Sequence, residues 1–393
     1  MQFADRLLPL QNNVFADMDR AKAAALNDGQ DIIDLSLGSS DLPTEPTILE
    51  AITEALQIPK THGYLLFSGT QSFRVAVADW IERKFGVQVD PETEVLPLIG
   101  SQEGTAHLPL ALLNPGDFAL LQDPGYPSHY GGVYLAGGQI HPMALTPEHN
   151  FLPQLDQIPA AVLAKSKMMV LSYPHNPTTA VAPLSFFQEA VAFCQTHHIA
   201  LVHDFPYVDL VFNQTVPPSI LQADLNRAVS IEFFTMSKSY NMGGFRVGFA
   251  VGNRDLIRAL RQIKAVVDFN QYQGILDGAI KALADDHGSI ARTVDTLKQR
   301  RDVMVQALAD IGWVVPLPEA TMYLWAKLPD TFPGTAMDFC LKLVAATGVA
   351  LSPGSGFGQH GEGYVRFALV HPPAKLAESA RRIGEFMAAY CQR

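Results

Sequence analysis

Short apolar runs of strand length alternate with helix-period stretches through the middle of the chain. The strand-like runs cover residues 95–99, 118–122, 168–172, 200–203, 229–234 and 247–251. Amphipathic helical stretches lie between several of them, for example at residues 105–113 and 184–197. Strands that are apolar on both faces and separated by helices are typical of a parallel sheet covered on both sides. The pattern therefore predicts an α/β fold with a mainly parallel central sheet.

The pattern changes after a charged helical stretch at residues 290–311. Further strand-like runs, at residues 313–316, 322–327, 349–351 and 364–368, are typical of a small antiparallel sheet. A closing helix is predicted from Ala374. We predict an N-terminal arm over residues 1–34, which joins the small domain or a partner subunit, a large domain over residues 35–285, and a small α+β domain over residues 286–393.

Composition narrows the classes of function. The chain has 393 residues, 48% of them hydrophobic, and a net charge of −11. Because nucleic acids and anionic membranes attract basic surfaces, this acidic balance predicts neither as a partner. The N-terminus has no apolar signal core, and no apolar run reaches membrane-spanning length. Cys194, Cys340 and Cys391 are scattered, which predicts reduced thiols, no metal site and a cytoplasmic protein.

The most informative segment is the end of the run at residues 229–234. Thr235, Ser237 and Lys238 follow it, and Arg246 comes eight residues after the lysine. A lysine at the end of a buried strand can present a neutral, nucleophilic amine. Hydroxyls and a fixed guanidinium suit a phosphate beside it. Together they predict a lysine that forms a Schiff base with pyridoxal phosphate, although a lone lysine here is more often a surface residue.

Other polar residues also stand at the ends of predicted strands, where ligands bind in open α/β sheets. Ser101 and Gln102 open a helix after the first run, and a helix N-terminus favours an anion. Tyr126 is flanked by prolines that would hold it for stacking on a flat ring. Asn176 precedes a proline in a turn, which can fix its side chain as a donor. Taken singly, each is more typical of a plain turn or of a residue that caps the core.

Charged residues complete the pattern. Asp204 ends an apolar strand, where a carboxylate is costly unless a cation such as a pyridinium N–H meets it. Tyr207 follows at a spacing that suits a donor to the phenolic oxygen of the same ring. Arg366 interrupts a short apolar strand, and its fork of donors fits a carboxylate. The competing interpretations are a helix N-cap for Asp204 and a structural ion pair for Arg366.

With these residues in this order, the chain resembles the fold-type I, pyridoxal-phosphate-dependent aminotransferases of classes I and II over residues 13–385. The resemblance implies a seven-stranded sheet in the large domain and a homodimer with shared active sites. It implies catalytic roles for Lys238, Asp204 and Tyr207. It further implies cofactor contacts from Ser101, Gln102, Tyr126, Asn176, Asp204, Tyr207, Thr235, Ser237, Lys238, Arg246 and, in the partner subunit's site, Tyr64. Substrate contacts are implied for Gly38, Asn176 and Arg366.

Within that family the chain looks most similar to the branch of LL-diaminopimelate, alanine and aspartate aminotransferases, through residues 96–104, 123–127 and 353–358. The resemblance implies an LL-diaminopimelate aminotransferase with 2-oxoglutarate as acceptor and ping-pong kinetics. Gln102 stands where this branch usually has lysine, and Asn13 where diaminopimelate enzymes have tyrosine. An alanine or aspartate transaminase therefore stays open. A C–S β-lyase also stays open, because the choice of reaction depends on how the pocket orients the bonds at Cα. Thr179 replaces the glycine of the usual Asn-Pro-Thr-Gly turn.

Overall fold

The computed structural model describes residues 3–10, 14–213 and 215–390, so Asn13 and Cys391 lie outside the described residues. The strands are β1 (Ile33–Asp34), β2 (Val95–Leu98), β3 (Phe118–Asp123), β4 (Gln139–Ala144), β5 (Ser166–Ser172), β6 (Ala200–Asp204), β7 (Ser230–Thr235), β8 (Gly248–Gly252), β9 (Tyr323–Lys327), β10 (Val349–Ala350), β11 (Ser352–Pro353) and β12 (Tyr364–Ala368). The helices are α1 (Val14–Asn27), α2 (Pro46–Leu56), α3 (Gln71–Phe85), α4 (Ser101–Leu112), α5 (Pro127–Ala136), α6 (Ala160–Leu163), α7 (Leu184–His197), α8 (Ile220–Ala223), α9 (Met236–Ser239), α10 (Arg254–Val267), α11 (Gln273–Ala284), α12 (Ser289–Asp310), α13 (Ala336–Thr347) and α14 (Pro373–Tyr390).

The central sheet has seven strands in the order β2-β8-β7-β6-β5-β3-β4. Strand β8 is antiparallel to β2 and to β7, and the remaining neighbours pair in parallel. The predicted α/β fold with a mainly parallel seven-stranded sheet is therefore confirmed. The sequence pattern missed β4, because this edge strand is largely accessible to solvent and carries no continuous apolar run.

Helices cover both faces of the sheet. Along β5, Met169 and Leu171 belong to one buried cluster, and the alternate residues Met168 and Val170 belong to another. This alternation follows from the two-residue period of a strand. Helices α3 and α7 supply side chains to the first cluster, and α4 and α10 supply them to the second. Since each buried aliphatic side chain contributes about 1.5–3 kcal/mol, the sheet is a rigid support for the residues at its edges.

The C-terminal part contains a three-stranded antiparallel sheet in the order β11-β12-β9, packed against α13 and α14. Two strand predictions were wrong. Residues 313–316, all of which the structure describes, form no strand: Trp313 packs into the core, Val314 is exposed, and Pro316 offers no N–H to a ladder. Residues 349–350 form β10, which pairs in parallel with β1 instead of joining the antiparallel sheet.

The helix and strand near the N-terminus pack against this C-terminal part. Met18 and Ala25 of α1 and Ile33 of β1 are buried in the same cluster as α13 and α14. The contact brings α1 to the side of the molecule on which β12 lies. The predicted division at residues 34 and 285 stays a prediction, with residue 285 falling between α11 and α12. Over the described ranges, no helix is both long and apolar enough to cross a membrane.

Candidate active site

The turns that follow β2, β3, β5, β6 and β7 emerge at one edge of the sheet, because these strands run in the same direction. They open onto a cavity of about 420 Å³. The predicted site residues that line it are Gly38, Ser101, Gln102, Tyr126, Asn176, Asp204, Tyr207, Thr235, Ser237, Lys238, Arg246 and Arg366. Tyr64 does not line this cavity, and its side chain is 93% exposed.

Lys238 is presented to the cavity by a one-turn helix. Thr235 ends β7 and caps α9, since its hydroxyl accepts a hydrogen bond from the N–H of Ser237 at 3.2 Å. The Lys238 ammonium donates to the carbonyl of Gly38, in the loop after β1. It lies 6.0 Å from the centre of the Tyr207 ring. The lysine that the sequence singled out is thus half-buried, directed inward and held by a carbonyl contact that a ligand can displace.

Asp204 ends β6 and is 4% exposed. Its Oδ2 is paired with His129 Nε2 of α5 at 3.0 Å. Its Oδ1 is buried and has no hydrogen-bond partner among the described residues. A buried carboxylate oxygen without a donor is costly, and this residue borders the cavity, so it can accept a hydrogen bond from a ligand there. Asp204 does not cap a helix, so the N-cap interpretation was wrong.

One end of the cavity is built for an anion. Gly100 precedes α4 at φ 73°, and no side chain within the described ranges caps that helix. Arg246 Nη1 donates to the Gly243 carbonyl at 2.9 Å and lies 3.4 Å from the Ser237 hydroxyl. A Cβ on Gly100 would collide with the Arg246 guanidinium, so a glycine is needed here for its conformation and for this close approach. A cation, hydroxyls and a free helix N-terminus together suit a phosphate.

At the small-domain side of the cavity, Arg366 of β12 is 5% exposed. Its Nη1 donates to Asn176 Oδ1 at 2.9 Å, and its Nη2 donates to the Ser36 carbonyl at 2.8 Å. The Nε is buried and has no hydrogen-bond partner in the described part of the chain, where Arg366 also meets no carboxylate. The structural ion pair considered for Arg366 is therefore not found. A buried guanidinium without an acid can bind the carboxylate of a ligand.

The Tyr207 hydroxyl donates to the hydroxyl of Tyr323, in β9, at 3.0 Å. Burial raises the pKa of Tyr207, so this residue keeps its proton and remains a donor. Burial by itself also raises the pKa of Tyr323, but the charges of Arg366 and Lys238 hold it below its ordinary value. The Tyr323 ring lies 4.2 Å from the Arg366 guanidinium carbon.

Sequence reasoning missed Tyr323 and His129. His129 follows Tyr126 by three residues in the turn and helix after β3, and its spacing in that segment was the available signal. Tyr323 lies 116 residues from Tyr207, and no local pattern marks it. Burial raises the pKa of Tyr126, whose ring meets that of His129 edge-on at 5.6 Å. The Asn176–Pro177 peptide is cis, an isomer that the sequence of this turn allows.

These residues fit pyridoxal phosphate. An anion cradle, an aromatic ring, an unpartnered buried carboxylate oxygen and an inward lysine surround one cavity, and these are the groups that its phosphate, ring, ring nitrogen and aldehyde require. The fit rests above all on the unpartnered Oδ1 of Asp204.

Comparison with known proteins gives the same chemistry. The model of the family "Aminotransferase class I and II" matches residues 30–383. The LL-diaminopimelate aminotransferase of Aquifex aeolicus is 41% identical over 382 residues, which are 97% of this chain and 98% of that protein. A protein of Nostoc sp. named LL-diaminopimelate aminotransferase 2 is 41% identical over 384 residues, 98% of each.

Solved structures agree with these relatives. Substrate-bound BacF from Bacillus subtilis superposes with a TM-score of 0.94 at 35% identity, covering 98% of each chain. A probable N-succinyldiaminopimelate aminotransferase from Thermus thermophilus superposes with a TM-score of 0.90 at 42% identity, covering 95% of this chain and 99% of that one.

Proposed function

Since the chain belongs to the class I and II aminotransferases, whose members use pyridoxal phosphate, we propose that it transfers an amino group from LL-diaminopimelate to 2-oxoglutarate. The choice of donor is supported by relatives of that name at 41% identity over nearly the whole chain. The chemistry is supported by one observation above all: the cavity that holds Lys238 also holds an unpartnered carboxylate oxygen of Asp204 and a guanidinium of Arg366 that meets no acid within the described residues.

The residues proposed to hold the cofactor divide by the part that they contact. The phosphate contacts are Ser101, Gln102, Thr235, Ser237 and Arg246, and Tyr64 is proposed to reach the phosphate bound by the partner subunit. Tyr126 would stack on the ring, Asp204 would pair with its nitrogen, and Asn176 and Tyr207 would donate to its phenolic oxygen. When bound, pyridoxal phosphate supplies an electrophilic carbon and a ring that accepts an electron pair.

The chain's own residues then orient the donor and move its proton. Arg366 binds the α-carboxylate, and Gly38 and Asn176 complete that contact, so the Cα–H bond is turned toward Lys238. The Lys238 amine acts as the base that takes the proton from Cα and as the acid that delivers it later in the same half-reaction. The carboxylate of Asp204, beside the ring nitrogen, would favour the electron shift that accompanies the first proton transfer.

Two half-reactions follow in order. In the first, the donor loses its amino group to the enzyme and leaves as a 2-oxo acid. In the second, 2-oxoglutarate takes the amino group and leaves as glutamate. Because one cavity serves both acids, the first product leaves before the acceptor enters, and ping-pong kinetics are expected.

We further propose a cytoplasmic homodimer with shared sites. The support is the loop that carries Tyr64. Tyr64 is 93% exposed, and Leu66 in the same loop is 59% exposed. A large apolar side chain at such exposure is typical of a surface that another chain covers.

The test is a panel of amino donors offered with 2-oxoglutarate or pyruvate. With LL-diaminopimelate as amino donor we expect 2-oxoglutarate to be converted to glutamate. Lys238→Ala should abolish this activity, while replacement of the exposed Lys298 by alanine leaves the rate unchanged. Turnover of alanine or aspartate without turnover of LL-diaminopimelate would support the broad-specificity transaminase instead. Release of ammonia and a thiol from a β-thio amino acid would support the C–S β-lyase.

A further inference from the structure

Helix α1 forms part of the cavity wall. Phe15, Met18, Asp19 and Lys22 line it, and their spacing of three and four residues puts them on one face of the helix. Asp19 and Lys22 are charged and have no part in the chemistry described above. A charged pair beside a substrate cavity can select the substrate.

Lys22 is held from two sides. Its ammonium donates to Asp34 Oδ2 at 2.9 Å and to the Ser36 hydroxyl at 3.4 Å, and it pairs with Asp19 Oδ1 at 2.8 Å. The Lys22 side chain is 19% exposed, whereas that of Asp19 is 71% exposed. Burial by itself lowers the pKa of Lys22, but its bonds to the two aspartates hold it above the ordinary value, so the charge persists. Asp34 therefore anchors the lysine, and Asp19 covers it from the solvent side.

Ser36 links this pair to the predicted carboxylate site. Its hydroxyl contacts Lys22, and its carbonyl accepts from Arg366 Nη2 at 2.8 Å. Two cations thus lie on either side of one residue, along one wall of the cavity. Consider an amino acid whose α-carboxylate meets Arg366 and whose α-amino group faces Lys238. With Asp204 and Arg246 taken by the cofactor, the charged groups of the described lining that remain for its side chain are Lys22 and Asp19.

We propose that the Asp19–Lys22 pair recognises the far end of a substrate that carries a second amino acid group, its carboxylate binding Lys22 and its ammonium binding Asp19. This inference rests on the proposed function and assigns the residues that read its donor. The exchange conserves charge. As the contact between Asp19 and Lys22 opens, the substrate carboxylate replaces Asp19 beside Lys22, and the substrate ammonium replaces Lys22 beside Asp19. An ion pair in which one partner is mostly exposed, as Asp19 is, is weak, so the contact opens readily for a zwitterionic side chain. An uncharged side chain such as that of alanine leaves the pair closed.

The experiment compares two variants on three donors, of which one carries both far groups and the other two lack one far group each. The donors are LL-diaminopimelate, L-2-aminopimelate, which lacks the far amino group, and L-lysine, which lacks the far carboxylate. Lys22→Met should lower kcat/KM about tenfold for the two donors with a far carboxylate and leave L-lysine unchanged. Asp19→Asn should lower it about tenfold for the two donors with a far ammonium and leave L-2-aminopimelate unchanged.

The matched controls are Asp17→Asn and Arg20→Met. These residues form another ion pair on α1, and neither lines the cavity, so all donors should react as with the wild type. Binding of pimelate, an unreactive dicarboxylate, measured by calorimetry on the holoenzyme, should weaken about tenfold in Lys22→Met and stay the same in Asp19→Asn. Asp19 is mostly exposed, so its variant keeps the test valid if Lys22→Met folds poorly.

The inference would be overturned if a variant lowered kcat/KM equally for all three donors. It would also be overturned if kcat/KM for LL-diaminopimelate were unchanged in both variants. Its failure differs from failure of the proposed function, which would appear as absent LL-diaminopimelate turnover by the wild-type protein. In that case the pimelate titration still tests whether Lys22 reads a far carboxylate, and unchanged pimelate affinity in Lys22→Met counts against the inference.

Discussion

Replacing Glu103 by glutamine is expected to destabilise the fold strongly, because it breaks a buried ion pair at the base of the active site. Lys264 of α10, fully buried, donates to both Glu103 carboxylate oxygens at 2.9 and 3.0 Å. Glu103 also accepts from the N–H of Ile99, next to the first turn of α4. The pair therefore fixes the start of the helix that carries Ser101 and Gln102.

The loss in free energy of unfolding depends on which buried charge each variant leaves without its partner. Glu103→Gln leaves the Lys264 ammonium buried with only Asp268, at 3.8 Å, as an acid within the described ion pairs, and such a loss costs about 3–5 kcal/mol. Lys264→Met leaves a carboxyl instead. Burial favours the neutral form of a carboxyl once the lysine is gone, so Glu103 can take up a proton. At pH 7 this costs at most about 4 kcal/mol, because the ordinary pKa of a carboxyl lies about 3 pH units below, whereas neutralising the ammonium left by Glu103→Gln would cost about 5 kcal/mol.

The assay is urea unfolding of the holoenzyme at pH 7 for both single variants and the double variant. The expected order of free-energy loss is Glu103→Gln above Lys264→Met, with the double variant losing less than the sum. Asp330→Asn breaks the exposed Lys327–Asp330 pair and serves as a control with a change within about 1 kcal/mol. A Glu103→Gln loss no larger than the control, or a Lys264→Met loss equal to it, would refute the reasoning.

The remaining predictions concern the cofactor, the dimer and one strained residue. Asp204→Asn should lower kcat at least about a hundredfold in steady-state assays, because the ring nitrogen loses its charged partner; unchanged kcat would remove Asp204 from the mechanism. Mixing inactive Tyr64→Ala and Lys238→Ala proteins should restore part of the activity, since one site of a mixed dimer is then intact, and no recovery argues against shared sites. Thr179 adopts φ 66°, a conformation that disfavours a β-branched residue, so Thr179→Gly should raise the free energy of unfolding by about 1 kcal/mol, and a loss of stability would show that no strain is present.

Local pattern was enough for most of the fold. The alternation of apolar runs and helical stretches predicted the central sheet, because strand and helix periods are set by a few neighbouring residues. The local pattern failed where neighbouring residues alone do not decide the secondary structure. The edge strand β4 carries no apolar run, and β10 pairs with β1 across 316 residues of chain. The apolar run at residues 313–316 packs in the core without joining a ladder.

The residues of the candidate site also divide into those that local sequence predicts and those that it does not. Lys238, Asp204 and the other residues at strand ends could be predicted, because parallel strands bring the turns after them to one edge of the sheet. Their roles stay predictions, and so does the division into domains. His129 could not be assigned a partner from the sequence, since its contact with Asp204 spans 75 residues.

The sequence by itself determined which chemical groups stand at the strand ends, since strand period and turn residues act over short distances. Only the tertiary structure decided which of them meet. Arg366 faces Asn176 across 190 residues, and Tyr323 meets Tyr207 across 116, because separate hydrophobic clusters set the position of the small domain against the sheet. The same packing puts Lys22 and Asp19 on the cavity wall, where the spacing along α1 alone gives no reason to expect a substrate.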